Sequence, residues 1–324
     1  MKDLDRRISV APMMDRTDRH DRFFLRQISS SALLYSEMIT TGAILHGDRE
    51  RFLRFDAVEH PVALQLGGAS PDELARCAEI GADWGYDEIN LNIGCPSDRV
   101  QNARFGACLM NEPQLVADCI AAMRRAVDIP VTVKTRIGVD DRDSWEDFTH
   151  FVETVAATGC DVFVIHARKA WLQGLSPKEN REIPPLHYDT VYRMKQTWPE
   201  LSVVINGGIT TVGEVRDHLR EVDGVMIGRA AYENPWLLAE IEREIVGGAA
   251  PAARLEALDP YLSYMDRELE NDVPLHAMAR HALGLFQGQR GARAWRRHIS
   301  ENAPRNGAGT DIVRKAAEFV LSED

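Results

Sequence analysis

Cys95 is the residue in this chain best placed to do chemistry. It follows a strand-like alternation over residues 88–93 and stands between Gly94 and Pro96. Proline removes a backbone donor and favours an extended backbone in the residue before it, so neither strand nor helix continues smoothly here. The pattern predicts a thiol on a rigid turn at the carboxyl end of a strand. With an ordinary pKa of about 8.5, such a thiol is mostly protonated at pH 7 and can donate a proton.

The other four cysteines give no comparable signal. Cys77, Cys119 and Cys160 lie in helical stretches or at their ends, which predicts small buried apolar groups. Cys108 is left unassigned. An odd count without CxxC spacing disfavours a disulfide framework or a metal site and fits reduced thiols in a cytoplasm. A nucleophilic-cysteine hydrolase would need a base beside Cys95, and no histidine is near it in sequence.

Polar residues alternate with apolar ones near the ends of several predicted strands. If Leu64 and Leu66 face outward, Gln65 faces the interior of the fold, because strand side chains alternate. The same alternation directs inward Asn90, Asn92, Lys134, Arg136, His166, Arg168 and Asn206. So many inward polar groups predict a functional site, with a fully satisfied buried network as the alternative.

Glycine-rich turns after the last two predicted strands suggest a phosphate site. These turns are Asn206-Gly207-Gly208 and Gly228-Arg229. Their backbone N–H groups and the Arg229 charge suit a phosphate. A flat redox ring within reach of Gln65, Lys134 and His166 would complete the ligand, which predicts flavin mononucleotide (FMN). The competing use of Lys134 is Schiff-base catalysis, as in aldolases, which borohydride trapping would reveal.

Eight strand-like segments, each followed by a helical pattern, must position these residues. They are residues 8–13, 33–38, 62–67, 88–93, 131–138, 162–168, 203–209 and 224–230. Their number and order predict an α/β fold, a TIM (β/α)8 barrel, over residues 1–246. Residues 247–253 resemble a linker, and residues 255–324 carry only helical patterns, which predicts a small all-helical C-terminal domain.

Two local signals predict helix starts. Ser70-Pro71-Asp72-Glu73 has the pattern of a capping box, and Asn234-Pro235 predicts the start of the helix after the last strand.

Composition limits the classes of function. The chain has 324 residues and a net charge of −12, which argues mildly against a nucleic-acid partner unless a local basic face exists. No apolar run long enough for a signal peptide or a membrane span occurs, so a cytoplasmic protein is expected. No feature indicates a protein partner.

The motifs resemble those of the dihydrouridine synthases, flavin enzymes that reduce uridine in tRNA, across essentially the whole chain. They are Ala11-Pro12-Met13, Leu91-Asn92-Ile93-Gly94-Cys95-Pro96, Val133-Lys134-Thr135-Arg136, Ile165-His166-Ala167-Arg168, Asn206-Gly207-Gly208 and Gly228-Arg229. Longer runs at 37–43, 96–102 and 169–186 resemble the subfamily that acts at tRNA positions 20 and 20a.

The resemblance implies roles for individual residues. Cys95 is the implied proton donor, and NADPH is the implied electron source. The implied FMN-binding residues are Pro12, Met13, Met14, Gln65, Lys134, His166, Asn206, Gly207, Gly208, Gly228 and Arg229. The implied tRNA contacts are Asn92, Lys178, Arg181, Arg293 and Arg296.

The tail also contains a basic segment that could hold tRNA. Residues 276–305 contain six arginines and one acid, Glu301, and helical spacing places Arg290, Arg293 and Arg297 on one face. An arginine face predicts phosphate contact, with a solvated charged helix as the alternative. Trp295 and Ile299 are then left to face a helical core.

Two other functions stay open at this point. One is a flavin barrel acting on a free pyrimidine or small enone, as dihydroorotate dehydrogenases do. It would have no use for an arginine-rich tail, and comparing free uridine with tRNA would discriminate the two. The other is a non-catalytic tRNA-binding protein, which a colourless purified protein would favour. Whether both 20 and 20a are modified cannot be told from the sequence.

Overall fold

The computed structural model describes residues 4–321 and contains a closed barrel of eight parallel strands. Each strand pairs with its neighbours in chain order, and the last strand pairs with the first. The strands are β1 (Ile8–Val10), β2 (Leu33–Thr40), β3 (Val62–Gly67), β4 (Glu88–Ile93), β5 (Val131–Arg136), β6 (Val162–His166), β7 (Ser202–Asn206) and β8 (Gly224–Ile227). The predicted TIM barrel is confirmed.

Helices follow the strands and surround the barrel. They are α1 (Arg19–Arg26), α2 (Thr41–His46), α3 (Arg49–Leu53), α4 (Pro71–Asp83), α5 (Asp98–Asn102), α6 (Pro113–Ala126), α7 (Trp145–Ala156), α8 (Tyr188–Thr197), α9 (Val212–His218), α10 (Arg229–Glu233) and α11 (Trp236–Ile241). Short 3-10 helices cover Ala57–Glu59, Gly106–Asn111 and Glu179–Arg181, and a π-helix covers Glu242–Val246. Within residues 4–321, no helix combines the length and apolarity needed to cross a membrane.

Several predicted element bounds were wrong, each for a local reason. The first, fifth, sixth, seventh and eighth strands end two to three residues earlier than predicted. The last two strands stop before Gly207 and Gly228, because the backbone turns away from the sheet hydrogen bonds at these glycines. A short helix, α10, comes directly after β8 and begins at Arg229, while Asn234-Pro235 opens the next helix, α11, which begins at Trp236. Ser70 caps α4, but Glu73 accepts from Thr41 Oγ1 instead of closing a capping box.

Two apolar clusters pack against the strands, one inside the barrel and one between strands and helices. The interior cluster consists of Ala11, Leu33, Tyr35, Ala63, Val164, Val204 and Met226. Leu64 and Leu66 belong to the separate core between strands and helices, which confirms the predicted alternation around Gln65. The barrel interior also holds polar side chains, among them Glu88, to which Tyr35 donates at 2.7 Å.

Residues 254–321 form helices joined by turns and contain no strand, as predicted. It contains α12 (Arg254–Leu269), α13 (Leu275–Ala279), a 3-10 helix (Arg280–Gly284), α14 (Ala292–Asn302) and α15 (Asp311–Leu321). These C-terminal helices pack against α1, where Phe23 stacks on Tyr264 with ring centroids 4.1 Å apart. Glu268 of α12 binds both Arg19 and Arg54 of the barrel, at 2.6 and 2.5 Å.

Candidate active site at the barrel mouth

Cys95 lies half-buried on a turn that begins where β4 ends. Asn92 holds this turn, because its Oδ1 accepts from the backbone N–H groups of Gly94 (3.1 Å) and Cys95 (3.0 Å). The carbonyl of Cys95 accepts from the amide of Ala107 (2.9 Å). Among the described residues, the thiol has one hydrogen-bond partner, the neutral Ser97 Oγ at 3.5 Å. The turn thus fixes the position of the sulfur.

A chain of hydrogen bonds crosses the barrel interior and ends at this turn. Glu88 accepts from Thr132 (2.7 Å), and Thr132 accepts from Asn90 Nδ2 (2.8 Å). Asn90 then accepts from Gln65, and Gln65 from Asn92, each at 2.8 Å. Since every member is buried and satisfied, each side-chain amide is held in one orientation. The network explains why Asn92 presents Oδ1 to the turn.

Arg136 joins the Cys95 turn to the loop that follows β6, residues 167–187. Its guanidinium donates to the carbonyls of Gly94 (2.9 Å), Lys169 (3.0 Å) and Asn180 (3.1 Å). Gln101 makes a parallel link, donating to Pro96 and Leu172 at 2.7 Å each. Burial lowers the pKa of Arg136 to about 10, so it stays charged at neutral pH. The loop after β6 and the Cys95 turn are therefore joined by the hydrogen bonds of two side chains.

Lys134 and His166 line the mouth in unusual protonation states. Burial, together with the nearby Arg136 charge, lowers the pKa of Lys134 to about 7. Its Nζ donates to Asn206 Oδ1 at 3.3 Å, and no carboxylate among the described residues pairs with it. Burial and the charges of Arg136 and Lys134 hold the pKa of His166 well below its ordinary value, so its ring is neutral.

The two glycine turns after β7 and β8 have the geometry of a backbone cradle. Gly207 and Gly208 have φ values of +119° and +75°. A Cβ on Gly207 would meet His166 Cδ2 at 2.7 Å, so only glycine fits there. Gly228, by contrast, has open space where a Cβ would point, with its nearest neighbour, Ala11, 4.0 Å away. Arg229 beside it binds Glu182 of the loop at 2.6 Å.

These observations fit a phosphate attached to a flat polar ring. Arg229 holds a carboxylate, an anion that a phosphate could replace, next to unobstructed backbone at Gly228. Lys134 offers a partly buried N–H donor that lacks an acidic partner among residues 4–321, and His166 offers a neutral ring. A lysine with this pKa would also suit Schiff-base chemistry.

The remaining thiols are placed as predicted where a prediction was made. Burial raises the pKa of Cys77 to about 11 and those of Cys119 and Cys160 to about 12. Cys108 is half-buried, donates to the Phe105 carbonyl at 3.2 Å, and has a pKa raised by burial. None of the four lies on a turn at the carboxyl end of a strand, as Cys95 does.

The predicted basic residues fall into two groups. Lys178 and Arg181 are exposed on the loop after β6, at a short 3-10 helix. Arg293 and Arg297 are exposed on α14, while Arg296 is half-buried and donates to Gln287 (2.9 Å). Trp295 and Ile299 are buried, as predicted.

One expectation about the basic residues was wrong. Arg290 lies in the turn before α14 and not on its face, since the helix begins at Ala292 after Gly291, whose φ is +78°. Two other basic residues are held by acids: Arg280 forms an ion pair with Asp18 (2.6 Å), and Lys169 forms one with Asp143 (2.7 Å).

Sequence reasoning also missed three residues at the site. They are Arg136, predicted to face inward but given no role, Gln101 and Glu182. Their contacts join segments that are distant in sequence, and no local sequence pattern predicts such contacts.

Comparisons with known proteins agree with one another. A model of the dihydrouridine synthase (Dus) family matches residues 9–320. The tRNA-dihydrouridine(20/20a) synthase of Shewanella oneidensis is 58% identical over 323 residues, covering 99% of this chain and 96% of that protein. Those of Vibrio cholerae and Escherichia coli K12 are 59% and 57% identical, covering 96% and 98% of this chain and 95% and 92% of theirs.

Proposed function

The chain belongs to the dihydrouridine synthase family, and from that premise we propose that it reduces the C5–C6 double bond of uridine in tRNA to 5,6-dihydrouridine. The substrate positions we propose are 20 and 20a of the D-loop. The location we propose is the cytoplasm, where both tRNA and reductant are present. The observation that carries the proposal is Cys95, a thiol fixed on a turn at a mouth that also holds Lys134 and His166. An aldolase use of Lys134 finds no support in the family.

Bound FMN, reduced by NADPH, would supply the hydride to C6 of the uracil. Cys95 donates the proton to C5 from the opposite side of the base. Asn92, in holding the turn, keeps the thiol aimed at one position.

The residues proposed to hold FMN come from six strand ends. Gly228 and Arg229 bind its phosphate, Lys134 and His166 contact the ring, and Asn206 orients Lys134. The full proposed set is Pro12, Met13, Met14, Gln65, Lys134, His166, Asn206, Gly207, Gly208, Gly228 and Arg229. In this division, residues 1–246 bind FMN and catalyse, and residues 255–324 help to bind tRNA.

Replacing Glu182 with glutamine should tighten FMN binding a few-fold. The carboxylate occupies Arg229 in the structure and would compete with the phosphate for it. The pair is exposed, so the gain is small, of the order expected for surface ion pairs. Titration of the apoprotein with FMN, followed by flavin fluorescence, measures the change. Glu179→Gln on the same loop serves as the control, and equal affinities for both variants would contradict the competition.

The arginines of α14 should contribute to tRNA affinity through phosphate contacts. We expect the triple variant Arg293→Ala, Arg296→Ala, Arg297→Ala to bind tRNA more weakly. Each arginine–phosphate pair that the substitutions remove should reduce the slope of log K against log salt by about 1. Binding measured over a series of salt concentrations gives the slope. Arg314→Ala, Lys315→Ala on α15 is a charge control, and an unchanged slope in the triple variant would remove this face from the interface.

The function itself is tested with purified protein and an unmodified tRNA transcript. The protein should be yellow, should oxidise NADPH in the presence of that tRNA, and should leave dihydrouridine at positions 20 and 20a. Free uridine should react poorly. Dihydrouridine at other positions only, or equal turnover of free uridine, would overturn the proposed substrate.

A further inference from the structure

The loop between β1 and α1, residues 11–18, is braced from outside the barrel. Its Asp15 amide donates to Glu37 at 2.5 Å, and its Asp15 carbonyl accepts from Arg280 Nη1 at 3.0 Å. Arg280 Nη2 also donates to Asp18 Oδ2 at 2.6 Å. One guanidinium from the C-terminal helices therefore binds this loop at two points.

The brace acts on a turn that is also closed by hydrogen bonds of its own, since the amides of Arg16 and Thr17 donate to the Met13 carbonyl at 3.1 and 3.0 Å. Asp15 has a φ of +61°, a left-handed value that is uncommon outside glycine and persists where surrounding contacts impose it. Within the loop, Met13 and Thr17 are joined by a hydrogen bond of 2.9 Å between the Met13 amide and Thr17 Oγ1. Met14, directly before Asp15, is left 54% exposed. The loop thus presents Met13 and Met14 from a strained turn.

This loop lies beside the second glycine turn. The amide of Ala11 donates to the carbonyl of Ile227 (2.8 Å), and the Cβ of Ala11 is the nearest neighbour to where a Gly228 side chain would point. A shift of the loop would therefore change the surroundings of Gly228, where the phosphate is proposed to bind.

Asp18 keeps its place without Arg280. It caps α1 by accepting from the amides of His20 and Asp21, and His281 Nε2 lies 3.1 Å from its Oδ1. The contact that has no substitute is the one to the Asp15 carbonyl. Arg280 therefore acts on the loop more than on the helix start.

We propose that Arg280 is a positioning residue for the cofactor. By holding the Asp15 turn it sets Pro12–Met14 for FMN, so that the C-terminal helices take part in cofactor binding as well as in tRNA binding. This inference rests on the proposed function for its FMN arm, while the brace itself concerns the apoprotein.

The test compares Arg280→Gln with Arg54→Gln, its matched control. Arg54 also forms an ion pair between the barrel and the C-terminal helices, with Glu268, and its side chain is 37% exposed against 40% for Arg280. When Arg54 is replaced, Glu268 still binds Arg19, just as Asp18 still contacts His281 when Arg280 is replaced. Arg54 touches no part of the β1–α1 loop in its hydrogen bonds. Thermal unfolding of the two apoproteins shows whether they are equally stable.

Two measurements follow. In the apoprotein, amide hydrogen exchange over residues 13–18 should be faster in Arg280→Gln than in Arg54→Gln. FMN affinity should fall about tenfold in Arg280→Gln, the cost of one charged hydrogen bond, and stay near wild type in the control. Arg280→Lys keeps the charge but lacks the forked guanidinium that binds the Asp15 carbonyl and the Asp18 carboxylate at once. Its FMN affinity should therefore lie between those of the wild type and Arg280→Gln.

Equal exchange rates in the two glutamine variants, or equal FMN affinities, would overturn the positioning role. If the wild-type chain bound no FMN at all, the proposed function would fall, and with it the cofactor role of Arg280, while faster exchange would still establish the brace.

Discussion

Replacing Cys95 with alanine should lower dihydrouridine formation by about 10²–10⁴-fold, the usual contribution of a general acid. The substitution removes the proton source and leaves its surroundings in place, because the turn is held through backbone groups by Asn92, Arg136 and Ala107. FMN binding and NADPH-driven flavin reduction should therefore stay close to wild type. Single-turnover reduction of tRNA by the pre-reduced protein isolates the affected step.

Cys108→Ala is the matched control for that experiment. Cys108 is also half-buried, and it lies on the 3-10 helix whose Ala107 binds the Cys95 carbonyl. Its removal should leave the single-turnover rate within a few-fold of wild type. A Cys95→Ala protein that reduces uridine at the normal rate would exclude Cys95 as the donor.

FMN affinity should fall by about tenfold for each pH unit above pH 7, because one proton is linked to binding. In the apoprotein Lys134 has a pKa of about 7, so above that pH it is mostly neutral. If FMN accepts a hydrogen bond from the charged amine, binding raises this pKa and takes up one proton. Affinity is then greatest below pH 7 and is lost as the pH rises through the lowered pKa, with a slope of one in log K per unit.

Lys134→Met should bind FMN more weakly at pH 7 and should show no such slope at higher pH. Lys169→Met removes a lysine whose amine instead binds Asp143 and should retain the slope. Isothermal titration in buffers of different ionisation heat counts the proton taken up. A pH-independent affinity in the wild-type protein would mean that Lys134 does not meet the cofactor as a cation.

The interior of the barrel was predictable because strand side chains alternate strictly. Once Leu64 and Leu66 were placed outward, the inward positions of Gln65, Lys134 and Asn206 followed, and the structure has them there. The turn at Gly207-Gly208 was predictable because the positive φ values that it adopts select glycine.

What could not be predicted depends on contacts between distant segments. Asn92 was expected to contact tRNA, a prediction that remains, but its grip on the Cys95 turn required knowing the orientation of Gln65. Arg280 was counted with the basic segment because that segment is rich in arginine. Its real partner, Asp18, is 262 residues away in the chain. Arg290 was wrongly assigned to the face of α14, because the helical spacing of the arginines runs through Gly291 without interruption. The helix itself begins only after Gly291.

That separation of 262 residues has a consequence for how the protein is made. The β1–α1 loop leaves the ribosome before Arg280 does, because Asp18 precedes Arg280 by 262 residues. At about 5–20 residues per second, roughly 15–50 s pass between them. For most of that interval the nascent loop also lacks β8, its neighbour in the closed barrel. The loop thus lacks this contact until residue 280 has been made, and a chain released just before residue 280 would carry all eight strands without the brace on this loop.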